Sequence, residues 1–302
     1  MIVSPAPHIN DKITVNRIML DVIIALCPAL IFGIVVFGPR AALVIAVCIS
    51  SAVFFEWAFE KALKRKNTVK DLSATLTGLL LAMNLPVSIP LWQAVFGSFV
   101  AIVVVKQLFG GLGKNFANPA ITARVVMFMA FPVAMTTWIL PFDTITGATP
   151  LNYLSRHVIE GIPIWNLFLG VHGGCLGETS ELMLLVGGLY LLFRRVITWH
   201  APLAFIGTVF ILTFLAGAYP VHQIFSGGLF LGAIFMATDY VTTPLTNKGR
   251  LIFGIGAGLI TVLIRLYGNY PEGVSFGILF MNMLVPLINR VTISKALGGL
   301  KN

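Results

Sequence analysis

The sequence predicts an all-α polytopic membrane protein of about ten transmembrane helices in two inverted five-helix halves. Three observations predict it. Of 302 residues, 58% are hydrophobic and only 10% are charged, and the mean hydropathy is +0.94. A soluble domain of this size must cover itself with polar side chains, so this composition excludes one. The apolar residues also fall into blocks near the ~20 helical residues that cross a ~30 Å hydrocarbon core. Finally, five blocks precede the longest polar stretch and five follow it. An odd number per half turns the second half over relative to the first. The chain reads as one membrane domain, with a first half over 1–140, an outer loop over 141–178 and a second half over 179–302.

The blocks are 18–38, 41–60, 72–89, 91–110, 120–140, 180–197, 201–218, 222–238, 250–268 and 273–290. The residues before them are polar and proline-containing, with no evident cleavable signal peptide. The third block of each half ends in a polar-proline break, Met83-Asn84-Leu85-Pro86 in one and Thr238 to Pro244 in the other. The fourth block of each half runs into a Gly/Asn-rich corner, Gly110 to Ala120 and Tyr267 to Phe276. Non-helical backbone at membrane depth must line a cavity or be covered by protein. These four breaks are therefore where a ligand or cofactor would sit.

A net charge of +9 would point to nucleic acid in a soluble protein. Here it orients the chain, and no nucleic-acid partner is expected. With the N-terminus in the cytoplasm, 17 of the 20 Lys and Arg residues fall on or near that side, leaving Arg40, Arg156 and Arg265 on the other. The positive-inside rule then puts both termini in the cytoplasm and the 141–178 loop outside. Trp92 and Trp138 fall at outer helix ends and Trp57 and Trp199 at inner ones, as an aromatic belt requires. The run Lys61 to Lys70 reads as a solvated loop that touches anionic lipid.

Candidate chemistry is sparse. Cys27, Cys48 and Cys175 form no CxxC or Cys/His cluster, which argues against a metal site made by this chain alone. No metal ligand and no catalytic residue is expected, and no phosphate-binding or hydrolase motif occurs. Asn115 and Asn118 offer amide donors and acceptors suited to the edge of a heterocycle. Equally, Asn118 fits a helix cap with Pro119 in the first helical position. Asp239 is an ion ligand, a partner for Arg250 or Lys248, or a cap beside a Thr-Pro break. Asp21 and Glu56 are similar acids on the first two blocks. Glu272 and Arg265 read as a structural pair, and Gly177 to Ser180 as a helix start.

The polar loop carries Asp143-Thr144-Ile145-Thr146-Gly147-Ala148-Thr149. This resembles the recognition pattern of flavin transferases, which split FAD and join FMN to the last threonine of the pattern, here Thr149. Small residues at Gly147 and Ala148 let a second protein reach the backbone. The hydroxyl needs a base and a metal, which the transferase supplies. The anionic phosphodiester belongs at an aqueous face, where the charge count puts it.

The order of this stretch with Gly110 to Ala120, Gly177 to Ser180, Ala237 to Arg250 and Tyr270 to Asn282 resembles the D subunits of the Rnf ferredoxin:NAD⁺ oxidoreductase complex. The B subunit of the sodium-translocating NADH:quinone reductase is similar, though Pro150-Leu151 after the threonine fits the Rnf form better. The resemblance implies a multi-pass subunit of the bacterial cell membrane with covalent FMN on Thr149. It also implies a non-covalent riboflavin nearer the cytoplasm, at Asn115 and Asn118. Its implied partners are the other Rnf subunits, a flavin transferase for maturation and membrane lipid. The implied activity is electron transfer between ferredoxin or NAD and membrane redox centres, coupled to Na⁺ or H⁺ transport and incomplete in this chain alone. A small-solute channel or transporter with inverted repeats is the rival reading.

Overall fold

The computed structural model describes residues 14–65, 67–141, 146–155, 163–178, 180–268 and 272–293. The chain is mostly helical. Among the described residues, four helices are long and apolar enough to cross a membrane: α1 (Val15–Phe37), α2 (Pro39–Ala62), α13 (Asn247–Tyr267) and α14 (Val274–Thr292). Shorter apolar helices complete the bundle. They are α3 (Ser73–Met83), α4 (Leu91–Phe99, continued as a π-helix over Val100–Gln107), α5 (Pro119–Ala130), α9 (Glu181–Phe193) and α10 (His200–Leu215). Between them lie α6 (Pro132–Met135), α7 (Pro150–Ser155), α8 (Ile164–Leu169), α11 (Pro220–Ile224) and α12 (Leu229–Leu231, continued as a π-helix over Gly232–Met236). Two two-residue strands, β1 (Trp138–Ile139) and β2 (Thr146–Gly147), pair antiparallel.

The breaks foreseen at the third block of each half are real, and they are deeper than the blocks implied. The sequence predicts helix through 89, yet α3 stops at Met83. Asn84 closes it and Pro86 bars its resumption. At 11 residues α3 rises about 16 Å, half a bilayer core. The block 222–238 is likewise cut between α11 and α12, where Gly227 has a φ of 70°. The block 120–140 ends at Ala130, because Pro132 forces Phe131 out of helical geometry. Asn118 caps α5 and Ser180 caps α9, as the sequence indicates.

Lipid tails are as apolar as leucine, so these helices are held together by close packing rather than by the hydrophobic effect. Helix α13 shows how. A Cβ on Gly254 would fall 2.6 Å from the Ala201 carbonyl oxygen, and one on Gly258 would fall 3.0 Å from that of Phe205, both on α10. A Cβ on Gly256 would fall 2.5 Å from Met281 Sδ on α14. Glycine therefore brings backbone to backbone on one face and admits a methionine on the other. Helix α9 meets α1 in the same way, with a Gly187 Cβ only 2.1 Å from the Ala25 carbonyl oxygen.

Two sequence expectations change. Trp138 is 4% exposed, fixed in β1, and is no belt residue, whereas Trp57, Trp92 and Trp199 are exposed. Lys106 and Arg124, counted as cytoplasmic cations, are buried at 2% and 4% exposure.

Gly254→Val should lower stability by about 1–3 kcal/mol through overpacking, whereas Gly207→Ala, with open space around it, should be neutral or stabilising. Thermal melts of the detergent-solubilised chain test the contrast. Equal behaviour of the two variants would contradict the glycine-mediated contact.

Candidate functional site

Arg124 lies just past the first turn of α5, and its guanidinium joins segments remote in sequence. Nη1 donates to Asn84 Oδ1 at 2.6 Å. Nη2 donates to Glu178 Oε1 at 2.9 Å, to the Glu272 carboxylate and to Cys175 Sγ at 3.4 Å. The Cys175 thiol donates in turn to the Asn84 carbonyl at 3.2 Å, a group that the end of α3 leaves without a helical partner. Glu178 stands just before α9 and Glu272 just before α14. The α11–α12 break arrives at the same place. A Cβ on Gly228 would fall 2.8 Å from Glu178 Oε1 and 3.5 Å from Arg124 Nη1. One cation therefore ties the end of α3 to the starts of α9 and α14, and the second broken helix packs against it.

Glu272 and Arg265 are not each other's partners. Arg265 is buried and donates to the Gln223 carbonyl at 2.5 Å and the Ser226 carbonyl at 2.9 Å, satisfying backbone freed where α11 ends. Burial pushes the Glu272 carboxyl up to about 7, against the pull of Arg124. Burial also holds the imidazole of His172, in the loop between α8 and α9, below its ordinary value. The donor atoms of Cys175, Glu178 and Glu272 lie within 4.8 Å of one another. Arg124 already supplies the positive charge there.

Beside this centre lies a cavity of about 780 Å³ including its mouth. Leu80, Leu191, Val196 and Phe235 give it apolar walls, and Thr77, Asn115, Asn118, Thr238 and Asp239 give it polar edges. Both readings of Asn118 hold. Its Oδ1 accepts from the backbone N–H of Ala120 and Ile121 at 3.1 and 3.3 Å, and the residue still lines the cavity. The cap leaves the side-chain NH₂ as the group able to donate to a ligand. Asn115 donates to the Ala117 carbonyl at 3.0 Å. Asp239 pairs with neither Arg250 nor Lys248 among the described residues. It accepts from the Thr242 hydroxyl at 2.9 Å, while Arg250 binds the Pro244 carbonyl and the Thr198 hydroxyl. Apolar walls with amide and hydroxyl edges suit a planar heterocycle.

Asp143 lies outside the described residues. Thr144 and Ile145 lie outside them too; Thr146 and Gly147 form β2, where a Cβ on Gly147 would fall 2.7 Å from Leu140 Cδ2. Ala148 is exposed and Thr149 is 6% exposed. The Thr149 hydroxyl accepts from the Asn152 backbone N–H at 3.4 Å at the start of α7. Leu151 then packs against Gly227 beside Arg265. From there the contacts run through Gly228 and Arg124 to Asn84, whose Nδ2 reaches Met236 Sδ at 3.6 Å. Phe235, the residue before Met236, lines the inner cavity. The threonine loop and the cavity are thus bridged by the charged centre.

A second buried cluster sits at the far end of the π-helix that continues α4. Lys106 Nζ bonds Glu56 Oε1 and Ser73 Oγ, both at 2.6 Å, and Gln107 bonds Glu56 Oε1 at 2.9 Å. Sequence reasoning singles out Glu56 but misses Lys106, Arg124, Glu178 and Asn84 as site residues. The available signal was a lone cation inside an apolar run, at Lys106 and at Arg124, which is costly in a membrane unless paired.

The NQR2, RnfD, RnfE family model matches residues 2–298. The chain is 48% identical to the D subunit of the Na⁺-translocating ferredoxin:NAD⁺ oxidoreductase complex of Acetobacterium woodii, over 99% of this chain and 96% of the relative. It is 44% identical to the D subunit of the proton-translocating ferredoxin:NAD⁺ oxidoreductase complex of Clostridium ljungdahlii, over 96% and 94%. It is 35% identical to the D subunit of an ion-translocating oxidoreductase complex of Escherichia coli, over 99% of each.

Arg124→Met leaves Glu178 and Glu272 buried without their cation and should cost about 3–5 kcal/mol of stability. Adding Glu178→Gln and Glu272→Gln should restore more than half, read as thermal denaturation of the solubilised chain. A triple variant no more stable than Arg124→Met would refute an electrostatic role for the centre.

Proposed function

The chain belongs to the NQR2, RnfD, RnfE family, and from that premise we propose that it is the D subunit of an ion-translocating ferredoxin:NAD⁺ oxidoreductase complex. It carries FMN through a phosphoester on Thr149 and holds a second flavin, riboflavin, in the inner cavity. What carries this reading is Thr149 itself. It closes Thr146-Gly147-Ala148-Thr149 on a loop that packs, through Leu151, on the contacts leading to the cavity.

The finer architecture follows from the packing. Taking α1–α5 as one half and α9–α14 as the other, the first helices of the halves pack on each other (α1 with α9) and so do the last (α5 with α14). Within the halves, α2 packs on α4 as α10 packs on α13. This supports ten crossings in two inverted halves, with both termini cytoplasmic and Thr149 on the outer side.

A flavin exchanges one or two electrons, which links iron–sulfur centres to two-electron donors. The chain's own residues do the rest. Ala148 leaves the acceptor segment open to a transferase, which would cleave FAD, join FMN to Thr149 Oγ, and release AMP and the hydroxyl proton. Because that oxygen accepts from the Asn152 N–H, the start of α7 must loosen for attack. Asn115 and Asn118 would hold the riboflavin by their side-chain amides, and Leu80 and Phe235 would give it apolar contact. The Arg124 centre keeps the two ends in fixed register. Partner subunits, among them a second flavinylated subunit and membrane iron–sulfur subunits, take up and deliver the electrons.

Co-expressed with a flavin transferase, the chain should fluoresce on a denaturing gel under ultraviolet light, and Thr149→Val should be dark. A dark wild-type band beside a fluorescent known flavoprotein would overturn the Thr149 assignment. In the same preparations Asn115→Ala should lose acid-extractable flavin without losing the covalent band.

A further inference from the structure

We propose that the turn between α9 and α10 binds one anionic phospholipid, with its phosphate at Arg195 and Arg250 and an acyl chain in the groove beside Trp199. Two adjoining hollows form the site. The first is of mixed polarity and includes Arg195, Thr198, Tyr240 and Arg250 in its wall. The second is an apolar groove between α9 and α10, lined by Leu189, Leu192, Trp199, Leu203 and Ile206 among others. Ile197 borders both. The groove follows two turns of each helix, about 10 Å, which is the scale of part of an acyl chain.

Charge identifies the occupant. Among the described residues neither Arg195 nor Arg250 makes an ion pair, although Arg194 beside them pairs with Asp21. Arg250 Nη1 donates to the Thr198 hydroxyl at 2.9 Å, which leaves the hydroxyl proton free to donate to an oxyanion. The one acid in this wall, Asp239, is engaged by Thr242. Arg195 adds a second observation. It occupies the left-handed position that closes α9, with a φ of 57°, and Val196 N–H bonds the Leu191 carbonyl at 2.9 Å to complete the turn. Glycine fills that position at lower cost, so the chain keeps a cation where backbone geometry disfavours one. An exposed tryptophan between a cationic hollow and an apolar groove marks a lipid–water boundary. Basic hollows between transmembrane helices recognise anionic headgroups. The groove opens sideways, with Leu189 and Leu203 exposed, so the ligand enters from the bilayer and free phosphate does not fill it. The site rests on the orientation given above only for its assignment to the inner leaflet.

The test uses the full-length chain in phosphatidylcholine vesicles containing either dibrominated phosphatidylglycerol or dibrominated phosphatidylcholine. The readout is the quenched tryptophan fluorescence that Trp199→Phe removes. Phosphatidylglycerol should bind this site more tightly than phosphatidylcholine by about five-fold per arginine engaged. Arg195→Gln, at an exposed residue, should lower the preference, and Arg195→Gln with Arg250→Gln should abolish it. Lys248→Gln, at an exposed cation outside the hollow, should leave it unchanged. Equal quenching by the two lipids, no quenching of Trp199 by either, or an equal loss in Lys248→Gln would each overturn the proposal. The measurement needs no bound flavin, so its failure is separate from failure of the flavin assignment.

Discussion

A guanidinium removed from water must be surrounded by anions and acceptors, and the places where this chain leaves helical geometry converge on that requirement. Arg124 is fully charged at any accessible pH. Its partners come from the end of α3, from the loop before α9 and from Glu272, two residues before α14. Removing one partner from such a centre costs more than the pair contributes, because the remaining charge stays buried. The arrangement is therefore all-or-none, and the break in α3 persists because its freed polar groups find partners there, while the α11–α12 break packs against the same centre through Gly228.

The polar centre also explains how half-spanning helices are tolerated. Backbone freed inside hydrocarbon needs partners within the protein. Cys175 takes the Asn84 carbonyl, and Arg265 takes those of Gln223 and Ser226. Each break is closed by a side chain from a different part of the chain. The hollow beside this centre can then carry amide and hydroxyl edges without exposing backbone to lipid. The Glu56–Lys106 cluster repeats the principle at the far end of the π-helix that continues α4, where the wider π turn places Lys106 and Gln107 on the same carboxylate oxygen.

Much of this was legible in the sequence. Composition, block length and loop charge indicate the membrane class. Asn84-Leu85-Pro86 marks where α3 stops, and Asn118-Pro119 and Ser180 mark helix starts, because turn and cap chemistry is local. What was not legible is long-range pairing. Glu178 reads as a helix start, which it is. Nothing within a few residues announces that it also meets Arg124, which lies 54 positions earlier. A charge count places Lys106 and Arg124 at the cytoplasmic surface because it knows the ends of blocks but not their interiors. Trp138 fails for a related reason: a strand two residues long, buried under the loop it pairs with, has no periodicity to read. Arg265 and Glu272 are near enough in sequence to be coupled on paper, and each instead serves a more distant break.

The glycines of α13 carry a mechanical consequence. Gly254 and Gly258 press backbone against α10, while Gly256 receives Met281 of α14. A helix gripped on two faces at intervals of two residues can neither roll about its axis nor slide by a fraction of a turn without driving atoms into contact. Helices α10, α13 and α14 therefore form a single slab. Any shape change that accompanies ion movement must rotate that slab as a whole, and its strain falls on the joints at its borders: the α11–α12 break and the turn at Arg195.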